Sequence, residues 1–291
     1  MRKTCLLCLI FGLSLSWIHA QDTTRHQLST KQLGLYGGLA YGATLTGLSV
    51  AWYSDNGFTN FRFFNDNAEW NQVDKFGHAF GTYQFARIGY DLLKKTELSD
   101  KKALYWATGI SFGMLLPIEI LDGFSEDYGF SYGDIIANLV GSGLFLGEQL
   151  LWNEQRIKFK FSFHQTSYAP MRPNLLGDGM HEEFLKDYNG QTYWLSFDIH
   201  SFFKESRFPK WLNIAAGYGA QGMVYAHENE NNLAGFESYR QYYLGIDFDL
   251  SYIPTKNRFL KTVLFLADMI KLPAPAIEIN KNGIQGHLFY Y

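Results

Sequence analysis

The sequence predicts an α+β protein: an N-terminal, membrane-type helical bundle of about four helices, packed on a C-terminal antiparallel β-rich region. Three observations carry that prediction. Over residues 31–152 the apolar residues run in long, Gly-rich, weakly charged stretches of helical length, whereas from Arg156 onward the hydrophobic period drops to two. Aromatic residues make up 18% of the 291-residue chain and charged residues also 18%, a balance suited to contact with lipid and opposed to disorder, which is charge-rich and aromatic-poor. The 25 Lys+Arg nearly cancel the 28 Asp+Glu, so the chain lacks the basic footprint that a nucleic-acid partner requires.

Residues 1–20 read as a signal peptide. Arg2 and Lys3 precede an apolar stretch from Cys5 to Ile18, and Ile18-His19-Ala20 ends in a small residue before Gln21. Ile18 is larger than the residue usual at that position, so an uncleaved signal anchor is the alternative. Both cysteines, Cys5 and Cys8, fall inside this segment without a lipid-attachment context. A mature chain without cysteine has no thiol nucleophile, disulfide or thiolate metal site.

Residues 31–152 form the expected helical domain. Leu33 to Tyr53 is an uncharged run in which Gly37, Gly38, Gly42 and Gly47 offer a small-residue face for close helix packing. Val73 to Lys95 is an amphipathic second helix. Lys101 to Leu121 is a third, loosened by Gly109, Gly113 and Pro117, and Tyr132 to Trp152 is a fourth. The first, third and fourth approach the length of a bilayer span. With the N-terminus exported, the second crossing would place Lys94, Lys95, Lys101 and Lys102 outside, against the positive-inside tendency of inner-membrane proteins. The outer membrane is therefore favoured over the inner.

Residues 153–291 form the expected aromatic-rich β domain. Ile157, Phe159, Phe161 and Phe163 alternate with Lys158, Lys160, Ser162 and His164, the pattern of a half-buried strand. Further strands are expected at Thr192–Phe202, Leu212–Tyr225, Tyr239–Ile253, Ala274–Ile279 and Ile284–Tyr290, with a helix from Arg258 to Ile270 and a tight turn at Asn280-Lys281-Asn282-Gly283. Phe289 and Tyr291 give the aromatic ending common in outer-membrane strands, although Gln285 and His287 continue the same face. About six strands are too few for a closed membrane barrel, which needs at least about eight, so a pore is not expected.

The chemistry-bearing residues lie within the apolar helices. Asp74 and His78 share a face with Lys75 beside them, Glu119 and Asp122 close the third helix, and Asp134 and Asn138 open the fourth. Charges in a low-dielectric layer cost several kcal/mol unless paired or hydrated, so these groups are expected to converge. Two readings follow. In one, His78, Glu119, Asp122 and Asp134 move protons or hold a divalent metal. In the other, Asp74 and Asp134 cap helix starts, Lys75 pairs with an acid, and His78 and Asn138 bridge helices as a structural network. Helix-start positions favour capping, and a single histidine is thin for zinc, so no firm metal site and no cofactor are expected. The remaining histidines (His164, His181, His200, His227, His287) are scattered without spacing, and Gly217-Tyr218-Gly219 precedes no helix start.

These residues carry a resemblance. Val73-Asp74-Lys75-Phe76-Gly77-His78-Ala79, Ile118-Glu119 with Asp122-Gly123-Phe124, and Gly129-Phe130-Ser131-Tyr132-Gly133-Asp134 with Ala137-Asn138 and Gly141 resemble the YfiM-like family. Asp187-Tyr188-Asn189-Gly190-Gln191-Thr192-Tyr193-Trp194 and Arg207-Phe208-Pro209-Lys210-Trp211-Leu212-Asn213 resemble its long form from Bacteroidetes envelopes. More distantly, the order Asp-Lys-x-x-His, Glu, Asp-x-x-x-Asn-x-x-Gly is similar to VanZ-like membrane proteins. The resemblance implies an exported, membrane-associated envelope protein, lipid-binding or structural, whose partner is membrane lipid or another envelope component. The VanZ-like likeness implies the alternative, a lipid- or cell-wall-active enzyme built on the His/Asp/Glu cluster.

Overall fold

The computed structural model describes residues 29–53, 57–126 and 128–290. The signal segment, both cysteines and Tyr291 lie outside the described residues. Among those described there are nine α-helices and a six-stranded antiparallel sheet, so the architecture is mixed helix and sheet. The chain divides into two compact units: the described residues of Met1–Asn65 with Phe85–Leu146, and of Asp66–Gln84 with Gly147–Tyr291.

The long helices are α1 (Thr30–Tyr53), α2 (Val73–Leu93), α3 (Asp100–Gly123) and α4 (Tyr132–Trp152). In the first unit, Gly89 of α2 lets the α3 backbone approach: a Cβ there would lie 3.6 Å from that of Ala107. Tyr90 packs edge-on against Phe145 of α4 at 5.8 Å. Helix α3 starts where Ser99 accepts a hydrogen bond from the Lys102 amide, and it carries Pro117 in its interior. Proline leaves the carbonyl four residues back without an amide donor. One residue along from that break, the Tyr41 hydroxyl of α1 donates to the Met114 carbonyl at 2.6 Å. Two short strands, β1 (Phe63–Phe64) and β2 (Phe130–Ser131), pair in parallel, and around them Phe61, Phe63, Phe124, Phe130 and Tyr132 form an aromatic cluster.

The second unit is built on a meander of β3 (Ile157–Phe163), β4 (Gln191–Phe197), β5 (Leu212–Gln221), β6 (Tyr239–Phe248), β7 (Ala274–Asn280) and β8 (Gly283–Tyr290), paired in chain order. Between β3 and β4 lie the short helices α5 (Pro173–Leu176) and α6 (Met180–Lys186), and after β4 comes α7 (Ile199–Phe202). Helix α8 (Glu228–Leu233) precedes β6, and α9 (Arg258–Ala267) precedes β7.

Three strands stop short of their expected ends, each for a local reason. Strand β4 ends at Phe197 because Asp198 accepts from the Ser201 amide and starts α7. Strand β5 ends at Gln221, where Gly222 takes φ 79° and a Cβ would meet the Glu237 carbonyl at 2.4 Å. Strand β6 ends at Phe248 because Asp249 accepts from the Ser251 amide and opens a 3-10 turn. The β7–β8 turn is as read, with Asn280 paired to Gly283 across Lys281-Asn282.

The sheet curls, because the chain entering β7 returns to β3: the Phe161 amide donates to the Met269 carbonyl and the Lys271 amide to the Phe161 carbonyl, both at 2.9 Å. Inside the curl Trp194, Ala215, Tyr243, Ala276 and Tyr290 form the core. On the outer face of β3 and β4, the first half of α2 covers the phenylalanine positions: Phe80 lies 5.8 Å from Phe159 and 5.7 Å from Phe161, and Phe76 stacks on Tyr193 at 6.3 Å.

Candidate functional site

The helix-borne polar residues divide between the two units. In the second unit, Asp74 stands in the first turn of α2, where the helix dipole favours a carboxylate. The Lys75 ammonium sits 2.9 Å from Asp74 and 2.7 Å from Asp66, with all three side chains largely buried. Lys75 therefore pairs with an acid, as the network reading expects. His78 follows Asp74 by one turn and is half-buried.

In the first unit, Glu119 near the end of α3 and Asp134 in the first turn of α4 are both buried, and their carboxylate oxygens approach within 4.8 Å. The cap of α4 is Ser131, whose hydroxyl accepts from the Asp134 amide at 3.1 Å. Asn138, one turn on, is fully buried, and its side-chain amide has no hydrogen-bond partner among the described residues. Asp122 is half-buried at the last turn of α3. The structure thus brings Glu119 and Asp134 together with Asn138 along the same helix face as Asp134. Each of these two buried carboxylates offers an oxygen that a hard cation could take.

A second charged constellation escaped sequence reasoning. Lys158 and Lys160 fall on the inner face of the sheet, and Lys160 is fully buried. The Lys160 ammonium lies 2.7 Å from Asp247 and 3.2 Å from Asp268, and it donates to the Phe248 carbonyl at 2.9 Å. Lys158 bridges Asp249 at 2.5 Å and Asp268 at 2.6 Å. Further along the interior, Glu278 accepts from Gln241 at 2.7 Å and lies 2.8 Å from the His287 ring. The signal lay in β6 and just beyond its end, where Asp247 and Asp249 alternate with apolar residues just as the lysines do in β3. Alternation fixes which residues share a face but not which face is inside.

Lys271 extends this set. Its ammonium is buried 4.5 Å above the Trp194 ring and donates to the Leu272 carbonyl at 3.3 Å. Burial pushes the group down from its ordinary 10.5 to about 8, against the opposing pull of Asp247. The sign follows from linkage. Between about pH 8 and pH 10.5 the unfolded chain holds the proton that the folded one has released, so stability should rise with pH across that window. Below it, the burial penalty is constant. Chemical unfolding of the wild type and Lys271→Met between pH 7.5 and 10.5 should show the rise in the former and its loss in the latter; parallel curves would contradict it.

Helices α3 and α4 are each long and apolar enough to cross a membrane by length and composition. Residues 62–147, running from β1 through most of α4, match the model of a family described as predicted periplasmic lipoprotein (DUF2279). The match fits an envelope protein of unestablished activity. No curated protein and no solved structure matches the chain.

Proposed function

We propose that the protein is an exported, membrane-seated envelope component that binds lipid through its helical half, in the manner of a long YfiM-like form, with α1 to α4 acting as a bundle. The observation that carries this is the exposed apolar surface of the candidate spans. Trp106 and Ile110 on α3, and Ile136, Leu139 and Val140 on α4, all stand at the surface, while the acids Glu119 and Asp134 are inside. Water disfavours that arrangement, and acyl chains favour it. Outer-membrane residence is the destination this reading prefers. The test is fractionation of the full chain with a carbonate wash and density-gradient separation of the two membranes. Retention in the washed outer-membrane pellet is expected, and release into the soluble periplasmic fraction would overturn the reading.

A second reading is favoured by the close approach of Glu119 and Asp134. Here Glu119, Asp122 and Asp134 perform envelope-lipid or cell-wall chemistry, the activity class that VanZ-like likeness implies. Asp134→Asn and Glu119→Gln separate the two. Normal accumulation with the envelope-lipid profile of a deletion strain supports chemistry; failure to accumulate supports a structural network.

A further inference from the structure

The sheet keeps charges inside beside its aromatic core and leaves a second apolar face outside. In an antiparallel sheet with one wet face, the apolar residues ordinarily turn inward and the charges outward. Here the inner face holds Lys160 and Asp247, both at 0% exposure, with Glu278 and Gln241 beyond them, while the outer face of β5–β8 presents Ile214, Leu244, Ile246, Ile277, Ile279 and Leu288. Leu244 is 53% exposed and Leu288 74%. Register makes the outer face continuous: Ile214 pairs with Ile246, and Leu244 with Ile277. Opposite Ile277 stands Gly286, and the hollow left there belongs to an open apolar depression of about 530 Å³.

Aromatic residues bound the patch along the strands. Trp211 stacks on Phe248 at one end, and Tyr218 meets Tyr242 edge-on at the other. Seven residue steps from Trp211 to Tyr218 span roughly 24 Å along the strand. An apolar field bordered by Trp and Tyr is the chemistry of a surface that meets a bilayer at its headgroup boundary.

We infer that the outer face of β5–β8 lies flat on a lipid bilayer, with its isoleucines and leucines in the acyl boundary. The orientation follows from the backbone. Strand β8 is an edge, paired only with β7 among the described residues. An edge with unpaired amides and carbonyls cannot sit in hydrocarbon without a cost of several kcal/mol per group, so the sheet does not cross. Lying face-on, it buries side chains to a depth of about 5–10 Å while its edge stays in the wet interface. This surface deepens the membrane reading above and rests on it, but it uses residues of the sheet alone.

The test uses the full chain carrying Cys5→Ser and Cys8→Ser, with single fluorophore-labelled cysteines introduced as Leu244→Cys, Ile277→Cys, Ile110→Cys, Leu139→Cys or Lys281→Cys. The protein is reconstituted in phosphatidylethanolamine–phosphatidylglycerol vesicles and probed with aqueous iodide and with nitroxide lipids. The expected result is quenching at 244 and 277 by shallow nitroxides at least about twofold stronger than by deep ones, with iodide reaching only 281. If iodide reaches 244 and 277 as freely as 281 while 110 and 139 report lipid, the sheet proposal falls and the helical reading stands. If 110 and 139 also report water, both fall. Protection of 244 and 277 from lipid and iodide alike assigns the face to a second copy of the chain and overturns the proposal, as does preferential quenching by deep nitroxides, which means a crossing sheet.

Discussion

Lys160→Ala should destabilise the protein by about 3–5 kcal/mol, the cost of stripping one partner from a buried ion pair. Lys160 is fully buried between Asp247 and Asp268. Asp268 keeps Lys158 at 2.6 Å and the Leu250 amide at 3.1 Å. Asp247 keeps the Ser196 hydroxyl at 2.6 Å, but its other carboxylate oxygen has no hydrogen-bond partner among the described residues. The loss therefore falls on Asp247, whose charge is left in the sheet interior with one hydroxyl bond and the pull of the Lys271 ammonium to answer it. Two controls give the number meaning. Lys158→Ala should cost less, because that side chain retains some contact with solvent. Lys160→Met combined with Asp247→Leu should recover most of the loss, since removing both charges also removes their desolvation. Urea unfolding of the detergent-solubilised chain, followed by aromatic circular dichroism, measures all three. A Lys160→Ala cost below about 1 kcal/mol, the range of exposed pairs, would contradict the buried pairing.

The same network shows what was legible in the sequence and what was not. The long helices and the six sheet strands came through in order, though the short helices α5 to α8 and the β1–β2 pair did not: the span expected for α4 is the one observed, β3 matches its alternation, and the Asn-Gly turn joins β7 to β8. Helical periods and turn chemistry are local, and locality is what a sequence displays. Facing is not local. The lysines of β3 read as the wet half of a strand, yet β6 supplies aspartates on the same side and the curl closes over both. The facing of the last residues of β8 was unreadable for a related reason. His287 keeps the regular register opposite Ala276 and reaches Glu278, but the shift that follows, between Ala276 and Ala274, leaves Leu288 and Phe289 both exposed, so simple alternation fails there. In the helices, chemistry-bearing positions could be picked out by charge in an apolar run, and Glu119 and Asp134 do approach each other. Their roles could not be assigned, because a cap is settled by one side-chain rotation: the Ser131 hydroxyl accepts from the Asp134 amide at the start of α4, a contact that charge patterning does not display.

Trp194→Ala should cost about 3–5 kcal/mol, the range for deleting a fully buried large aromatic side chain. The indole is completely buried among Ala215, Tyr243, Ala276 and Tyr290. It also donates to the Ser162 hydroxyl at 2.9 Å and lies beneath the Lys271 ammonium. Its seat depends on Gly217, the residue directly across from it on β5. A Cβ at Gly217 would come within 2.6 Å of the indole ring. Gly217→Ala alone should therefore destabilise by about 1–3 kcal/mol through overpacking. In the Trp194→Ala background the same added methyl enters vacated space, so Gly217→Ala should become neutral or stabilising. The double-mutant cycle then yields a coupling of about 1–3 kcal/mol, well beyond the additivity of independent sites. Additive effects would mean that the ring can shift without loss, and that the sheet interior is held by its ion pairs rather than by the packing of Trp194.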